Sequence, residues 1–154
     1  MNKETTYTAL LPQIAALIKG ESNETSVLAN VAAALHQAFD QFFWTGFYLL
    51  HPDGTLRLGP FQGPPACYAI AIGKGVCGQA FELERTLVVP DVEQFPGHIA
   101  CSALSRSEIV VPVFSKSGTP VAVLDIDSKQ LATFDDTDKL YLEQVAQLLT
   151  DTLY

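Results

Sequence analysis

Two alternating stretches, Glu108–Phe114 and Val121–Asp127, joined by Ser-Lys-Ser-Gly-Thr-Pro, constrain this chain more than any other segment. The pattern predicts a β-hairpin, because runs rich in β-branched residues flank a Ser-Gly turn signal. Side chains alternate along a strand, so Val121, Val123, Asp125 and Asp127 share one face. A turn centred on Ser117-Gly118 pairs Lys116 with Thr119 and sets Glu108 opposite Asp127; a four-residue loop from Lys116 to Thr119 gives the same register. Either way three carboxylates, Glu108, Asp125 and Asp127, crowd one patch of sheet. Like charges opposed across strands are destabilising, so the cluster needs a reason.

Carboxylates sharing a site cannot all ionise comfortably. One is pushed upward and becomes a proton donor, while the others hold a cationic ammonium group. A plainer reading has Asp125 and Asp127 opening a solvated loop and Glu108 ending a strand. Hard oxygen ligands also suit magnesium or calcium, but no EF-hand-like spacing accompanies them. Trp44 and Tyr48 lie four apart on a predicted aromatic strand, hence on one face. There they either wall an apolar or cationic pocket or fill core.

The rest of the chain frames the hairpin. Tyr7, Leu10, Leu11, Ile14, Leu17 and Ile18 fall at helical spacing ahead of Gly20. Val27, Leu28, Val31, Leu35 and Phe39 repeat the pattern after the capping candidates Ser22 and Asn23. Strands are predicted from about Phe42 to Leu50, from Thr55 to Leu58, from Tyr68 to Ile72 and from Leu87 to Val89. A short helical stretch near Gln79–Leu83 follows a glycine-rich turn. Asp91 to Ser107 has no period of either kind, and loops of that length inside compact domains are usually functional or disordered. A last helix starts near Asp135 and carries Leu142, Val145, Ala146, Leu149 and Leu153 on one face. The expected class is α+β: a mostly antiparallel central sheet packed against N-terminal and C-terminal helices, in a single domain over residues 1–154.

Charge narrows the function. Lys and Arg total 9 against 17 Asp and Glu, a formal charge of −8, which is the wrong sign for phosphate neutralisation and argues against nucleic acid. The N-terminus lacks the basic and apolar regions of a signal peptide, and no apolar stretch approaches the roughly 18–20 residues that cross a bilayer. A cytoplasmic protein with no membrane partner is expected. Its three cysteines, Cys67, Cys77 and Cys101, are an odd count that cannot form one paired framework. In a reducing compartment such cysteines are buried thiols, ligands or redox catalysts.

Gly73-Lys-Gly-Val-Cys-Gly78 fits the dinucleotide fingerprint G-x-G-x-x-G, but no βαβ unit surrounds it, so that reading is rejected. Cys77 then sits near a helix start, where the dipole lowers a thiol pKa, or is a small buried hydrophobe. Cys101, on the aperiodic loop, suits attack better than packing. His98 is either its base or a surface-loop histidine. Cys67, Cys77, His98 and Cys101 are zinc-ligand types without the paired short spacings of a structural zinc site, so no metal is expected.

Taken together, the motifs resemble those of the free methionine-(R)-sulfoxide reductase family of GAF domains. The resemblance rests on Trp44-Thr-Gly-Phe-Tyr48, Leu58-Gly-Pro-Phe-Gln-Gly63, Cys67 and Gly75-Val-Cys-Gly78. It continues through Asp91-Val, Gln94-Phe-Pro-Gly-His-Ile-Ala-Cys101, Ser107-Glu-Ile-Val-Val-Pro112 and Leu124-Asp-Ile-Asp-Ser128. It implies a GAF-type fold and no cofactor. It also implies that Cys101 is the nucleophile left as a sulfenic acid, that Cys67 resolves it as a disulfide, and that Cys77 is a secondary thiol exchanging with Cys67. Glu108, Asp125 and Asp127 are implied to bind the sulfoxide oxygen and the free ammonium, with Trp44 and Tyr48 lining the methyl end. A thioredoxin-type dithiol is the implied reductant.

The rival reading is a non-catalytic GAF module binding a small-molecule ligand. The absence of an output domain after Tyr154 and the acidic pocket are expected to count against it. A homodimer through the two N-terminal helices and the C-terminal helix is compatible with either role.

Overall fold

The computed structural model describes residues 2–154. Two helices open the chain, α1 (Lys3–Ile18) and α2 (Glu24–Ala38). Strands β1 (Trp44–Leu50), β2 (Thr55–Gln62) and β3 (Ala69–Ala71) follow, then α3 (Gly75–Leu83) and β4 (Leu87–Val89). A 3-10 turn at Val92–Gln94 leads towards β5 (Ser107–Phe114) and β6 (Pro120–Ser128), and α4 (Asp136–Leu153) closes the chain. The strands form one six-stranded sheet in the order β3-β2-β1-β6-β5-β4, and every pair is antiparallel. The expected α+β class is what the elements build.

Helix starts follow local chemistry. Asn2 caps α1 by accepting from the Thr5 backbone N–H at 2.8 Å, and Asn23 caps α2 by accepting from Ser26 N–H at 3.0 Å. Each satisfies a donor the first turn leaves orphaned. Asp135 and Asp138 form a reciprocal capping box at α4. The apolar stripes of these three helices bury against one sheet face, supplied by Phe47 of β1, Ile109, Val111 and Val113 of β5, and Ala122, Leu124 and Ile126 of β6. Asp138, 1% exposed, locks the chain's two ends. It accepts from Lys3 Nζ at 2.6 Å on one oxygen and from the Tyr7 hydroxyl at 2.7 Å on the other.

The opposite face carries a second apolar layer. Trp44, Tyr48, Val110 and Val123 pack there against Val76, Ala80 and Phe81 of α3. α3 begins at Gly75, four residues before the predicted stretch near Gln79. Burial of Val76, Ala80 and Phe81 on one side outweighs the poor helix propensity of glycine.

The hairpin keeps its predicted register, with Glu108 opposite Asp127, Val110 opposite Asp125 and Pro112 opposite Val123. Its turn is different. Ser115 N–H donates to Thr119 carbonyl at 2.7 Å and Gly118 N–H to Ser115 carbonyl at 2.9 Å, so three residues form the loop and Lys116 does not pair with Thr119. Gly118 takes φ +87°, the left-handed position such a loop requires. A register shift between Val113 and Phe114 restores the pairing beyond it.

Candidate active site

The alternation of three neighbouring strands builds the site. On the α3 side, β1 presents Trp44, Gly46 and Tyr48 beside Asp127, Asp125 and Val123 of β6 respectively. Glu108 and Val110 of β5 complete the rows. Glu108 is 5% exposed and Asp125 6%, while Asp127 is half-buried. The solvated-loop reading of these carboxylates is therefore overturned: they lie in the sheet interior, because the register carries them under the loop between β4 and β5.

Gly46 is the gap in that floor. A Cβ there would stand 2.4 Å from Phe61 Cβ and 2.6 Å from Trp44 Cη2, so the indole lies across the space a side chain would fill. Trp44 stacks on Phe61 with centroids 5.2 Å apart, and its indole N–H donates to the Pro64 carbonyl at 3.0 Å. Tyr48 is buried, and its hydroxyl donates to the Cys67 carbonyl at 2.9 Å. The aromatic pair thus fixes the segment that carries Cys67.

Cys67 and Cys101, 34 residues apart, are joined by a disulfide, and Cys77 is free and buried on α3. The zinc set weighed from sequence is not assembled, since two of its sulfurs are bonded to each other. Among the described residues, Cys77, Glu108 and Asp125 bring donor atoms within 4.8 Å of one another, atoms that suit an ammonium group as well as a metal ion.

Above this floor lies a cavity open to solvent. Trp44, Tyr48, Cys77, Cys101, Glu108, Asp125 and Asp127 all line it, and Cys67 reaches it through the disulfide. All eight residues singled out from sequence are thereby brought together. Phe43, Lys74, Ile99, Ser102 and Ser105 also line it and were missed. Only Phe43 carried a signal, its adjacency to Trp44 in an aromatic run; the others depend on the path of an aperiodic loop or on which way α3 points.

Electrostatics separate the three acids. Burial pushes Glu108 well above the usual carboxylate range, and Asp125 and Asp127 push it further. Asp127 is raised by burial and then by Asp125, with Ser105 pulling partly back. Asp125 is raised by burial too, but Glu108, Cys77 and His98 all favour its charged form. It is the member best placed to carry the negative charge, and its Oδ1 has no hydrogen-bond partner among the described residues. A buried carboxylate oxygen without a donor is costly, which marks it as an acceptor awaiting a ligand.

Of the two readings of Cys77, the buried one holds and the helix-start one does not. Burial raises its thiol pKa strongly, and the carboxylates of Asp125, Glu108 and Asp127 raise it further, so the helix-start effect does not govern it. His98 is not a free surface histidine either. Its side chain is 15% exposed, its Nε2 lies 4.0 Å from Glu108 Oε1, and burial lowers its pKa while Asp125 pulls the other way.

Comparison with known proteins gives consistent results. A family model for the GAF domain matches residues 21–153. The chain is 55% identical over 148 residues to GAF domain-containing protein A of Dictyostelium discoideum, covering 96% of this chain and 92% of that protein. It is 46% identical over 149 residues to a free methionine-R-sulfoxide reductase of Escherichia coli, covering 96% and 89% respectively. A solved structure of free methionine-R-sulfoxide reductase from Neisseria meningitidis in complex with its substrate matches with a TM-score of 0.95. That match is at 50% identity and covers 99% of this chain and 90% of that one.

Proposed function

The chain belongs to the free methionine-R-sulfoxide reductases of the GAF-domain family, and from that premise we propose how its own residues reduce free methionine-R-sulfoxide to methionine. The observation that supports the reading most is one juxtaposition: a Cys67–Cys101 disulfide at the rim of a cavity floored by the buried acids Glu108 and Asp125 and the half-buried Asp127. An oxidisable thiol pair and a protonated carboxylic acid are the two things sulfoxide reduction needs.

In the reduced enzyme the Cys101 thiolate attacks the sulfoxide sulfur while Glu108 protonates the oxygen. The bond between methionine sulfur and oxygen breaks. The Cys101 Sγ–methionine sulfur bond formed in the attack breaks as the protonated oxygen passes as hydroxyl to Cys101 Sγ, so methionine sulfur gains two electrons and leaves and Cys101 is oxidised by two electrons to the sulfenic acid. The Cys67 thiol then attacks Cys101 Sγ, forming the disulfide and releasing the hydroxyl as water. A thioredoxin-type dithiol restores both thiols through a mixed disulfide. Cys77 is secondary. Exchange with Cys67 needs its thiolate, which its surroundings disfavour.

Asp125 Oδ1 receives the substrate ammonium, with Asp127 beside it, and Trp44 and Tyr48 enclose the methyl end. Recognition of a free ammonium by buried acids excludes peptide-bound methionine sulfoxide, because an amide nitrogen carries no charge to offset the desolvated carboxylate. No described helix is long and apolar enough to cross a membrane. A cytoplasmic setting, where dithiol reductants are kept reduced, suits the cycle. A homodimer through α1, α2 and α4 would cover exposed apolar side chains of these helices such as Leu17 and Leu140.

The test is methionine release from free and from peptide-bound methionine-R-sulfoxide, with a thioredoxin system supplying electrons. Turnover of the free form alone is expected. Equal turnover of both would refute the ammonium-reading pocket, and no turnover of either would return the chain to the ligand-binding alternative.

A further inference from the structure

An acid that gives up a proton from a buried site must recover one in every cycle. Glu108 is 5% exposed and is enclosed by Asp125 and Asp127 of β6, Cys77 of α3 and Tyr48 of β1. None of these is a ready carrier. The two aspartates are acids of the same cluster, while the Cys77 thiol and the Tyr48 phenol are both held protonated by burial. Lys74 lines the cavity from the exposed start of α3, away from the buried floor. One further titratable side chain faces the cluster. His98, three residues before Cys101, combines partial contact with solvent and an Nε2 only 4.0 Å from Glu108 Oε1.

We propose that His98 is the proton relay of the site, taking a proton from water at one ring nitrogen and delivering one from Nε2 to Glu108 between turnovers. The inference rests on the reading of Glu108 as the acid that protonates the sulfoxide oxygen. Proton balance is kept. The proton that leaves Glu108 departs in the water formed when Cys67 resolves the sulfenic acid, and the relay replaces it from solvent. Imidazole is suited to the task because its two nitrogens exchange donor and acceptor roles. At 4.0 Å the pair is longer than a direct hydrogen bond, and catalytic hydrogen bonds are often long outside the reacting complex. The imidazole acts through Glu108 and is not placed on the substrate.

The relay makes a signature that packing alone does not. Reduced His98→Gln enzyme, equilibrated before mixing, already holds its proton on Glu108. It should release the first methionine at the wild-type rate and then slow on the order of 10²-fold in later turnovers. The deficit should grow as pH rises and be partly restored by added imidazole. Rapid-mixing methionine release with dithiothreitol in excess reads each phase, with Glu108→Gln as the control. A first turnover that survives in Glu108→Gln removes the acid assignment and the relay with it. If Glu108→Gln loses that turnover while His98→Gln matches wild type in later turnovers and pH profile, the relay alone is overturned. Equal slowing of first and later turnovers in His98→Gln, without imidazole rescue, makes His98 structural and also overturns it. His98→Asn, smaller and polar, provides the same readings if His98→Gln folds poorly.

Discussion

Replacing Glu108 with glutamine should stabilise this protein while disabling it, and the stability gain should depend on pH. The sign follows from linkage. Burial and two neighbouring aspartates raise the Glu108 pKa, so the folded state keeps a proton that the unfolded chain has already lost. Stability is therefore greatest below the ordinary glutamate pKa of about 4.3 and falls as pH rises, until Glu108 ionises in the folded state. Each pH unit in that window costs about 1.4 kcal/mol for one retained proton. Glutamine should recover about that much for each pH unit over which the folded protein keeps the proton, roughly 2–4 °C in Tm per kcal/mol for a domain of this size. The amide also offers an N–H donor close to the Asp125 carboxylate, whose Oδ1 lacks a partner. Urea unfolding of the oxidised protein and variant from about pH 4.5 to about pH 7.5 measures the difference. Parallel curves for the two proteins, with no pH-dependent gap, would refute the argument that Glu108 is held protonated.

Three further outcomes are expected. Cys101→Ser should abolish turnover with the fold intact, whereas Cys67→Ser should release about one methionine per enzyme and then recycle poorly with a dithiol protein; full steady-state activity in Cys67→Ser would shift resolution to Cys77. Gly46→Val should drive the Trp44 indole off the pocket wall and cost about 1–3 kcal/mol by overpacking, seen as a raised KM and altered near-ultraviolet circular dichroism; unchanged values would mean the floor yields elsewhere. Reducing the Cys67–Cys101 bond, which closes a segment of 34 residues, should lower stability by about 3–4 kcal/mol in the chain-entropy model, read as a lower unfolding midpoint in excess reductant; an unchanged midpoint would show that the reduced chain keeps the same constraint without the bond.

What the sequence made legible was whatever depends on periodicity. The strand alternation of Val121 to Asp127 sufficed to place Glu108 against Asp127, and the turn geometry did not matter because a shift at Phe114 absorbs it. The caps of α2 and α4 were readable for the same local reason. The disulfide was not: three cysteines admit three pairings, and only the resemblance to a known family chose Cys67 with Cys101. The place of His98 beside Glu108 was hidden because a loop without periodicity conceals its path, and the helix-dipole alternative for Cys77 failed because its carboxylate neighbours come from β5 and β6, far away in sequence. Local rules describe Cys77 as a helix-start thiol; only the tertiary fold sets it among acids.

The division of labour between the two sheet faces explains how such a cluster survives. Three crowded carboxylates work against folding, and among the described residues that line the cavity Lys74 is the only lysine or arginine. The opposite face has no such burden. Phe47, Ile109, Leu124 and Ile126 meet three capped helices there, and the Lys3–Asp138–Tyr7 network ties the chain's first helix to its last. Because side chains alternate, β1, β5 and β6 serve both faces at once: Ile126 is core between Asp125 and Asp127, and Ile109 is core beside Glu108. A strand slip of one residue would exchange these roles, burying carboxylates under the helices and emptying the site. The register that positions the acids for chemistry is thus the one the apolar face enforces, so the part of the protein that does no chemistry is what holds the reactive groups in place.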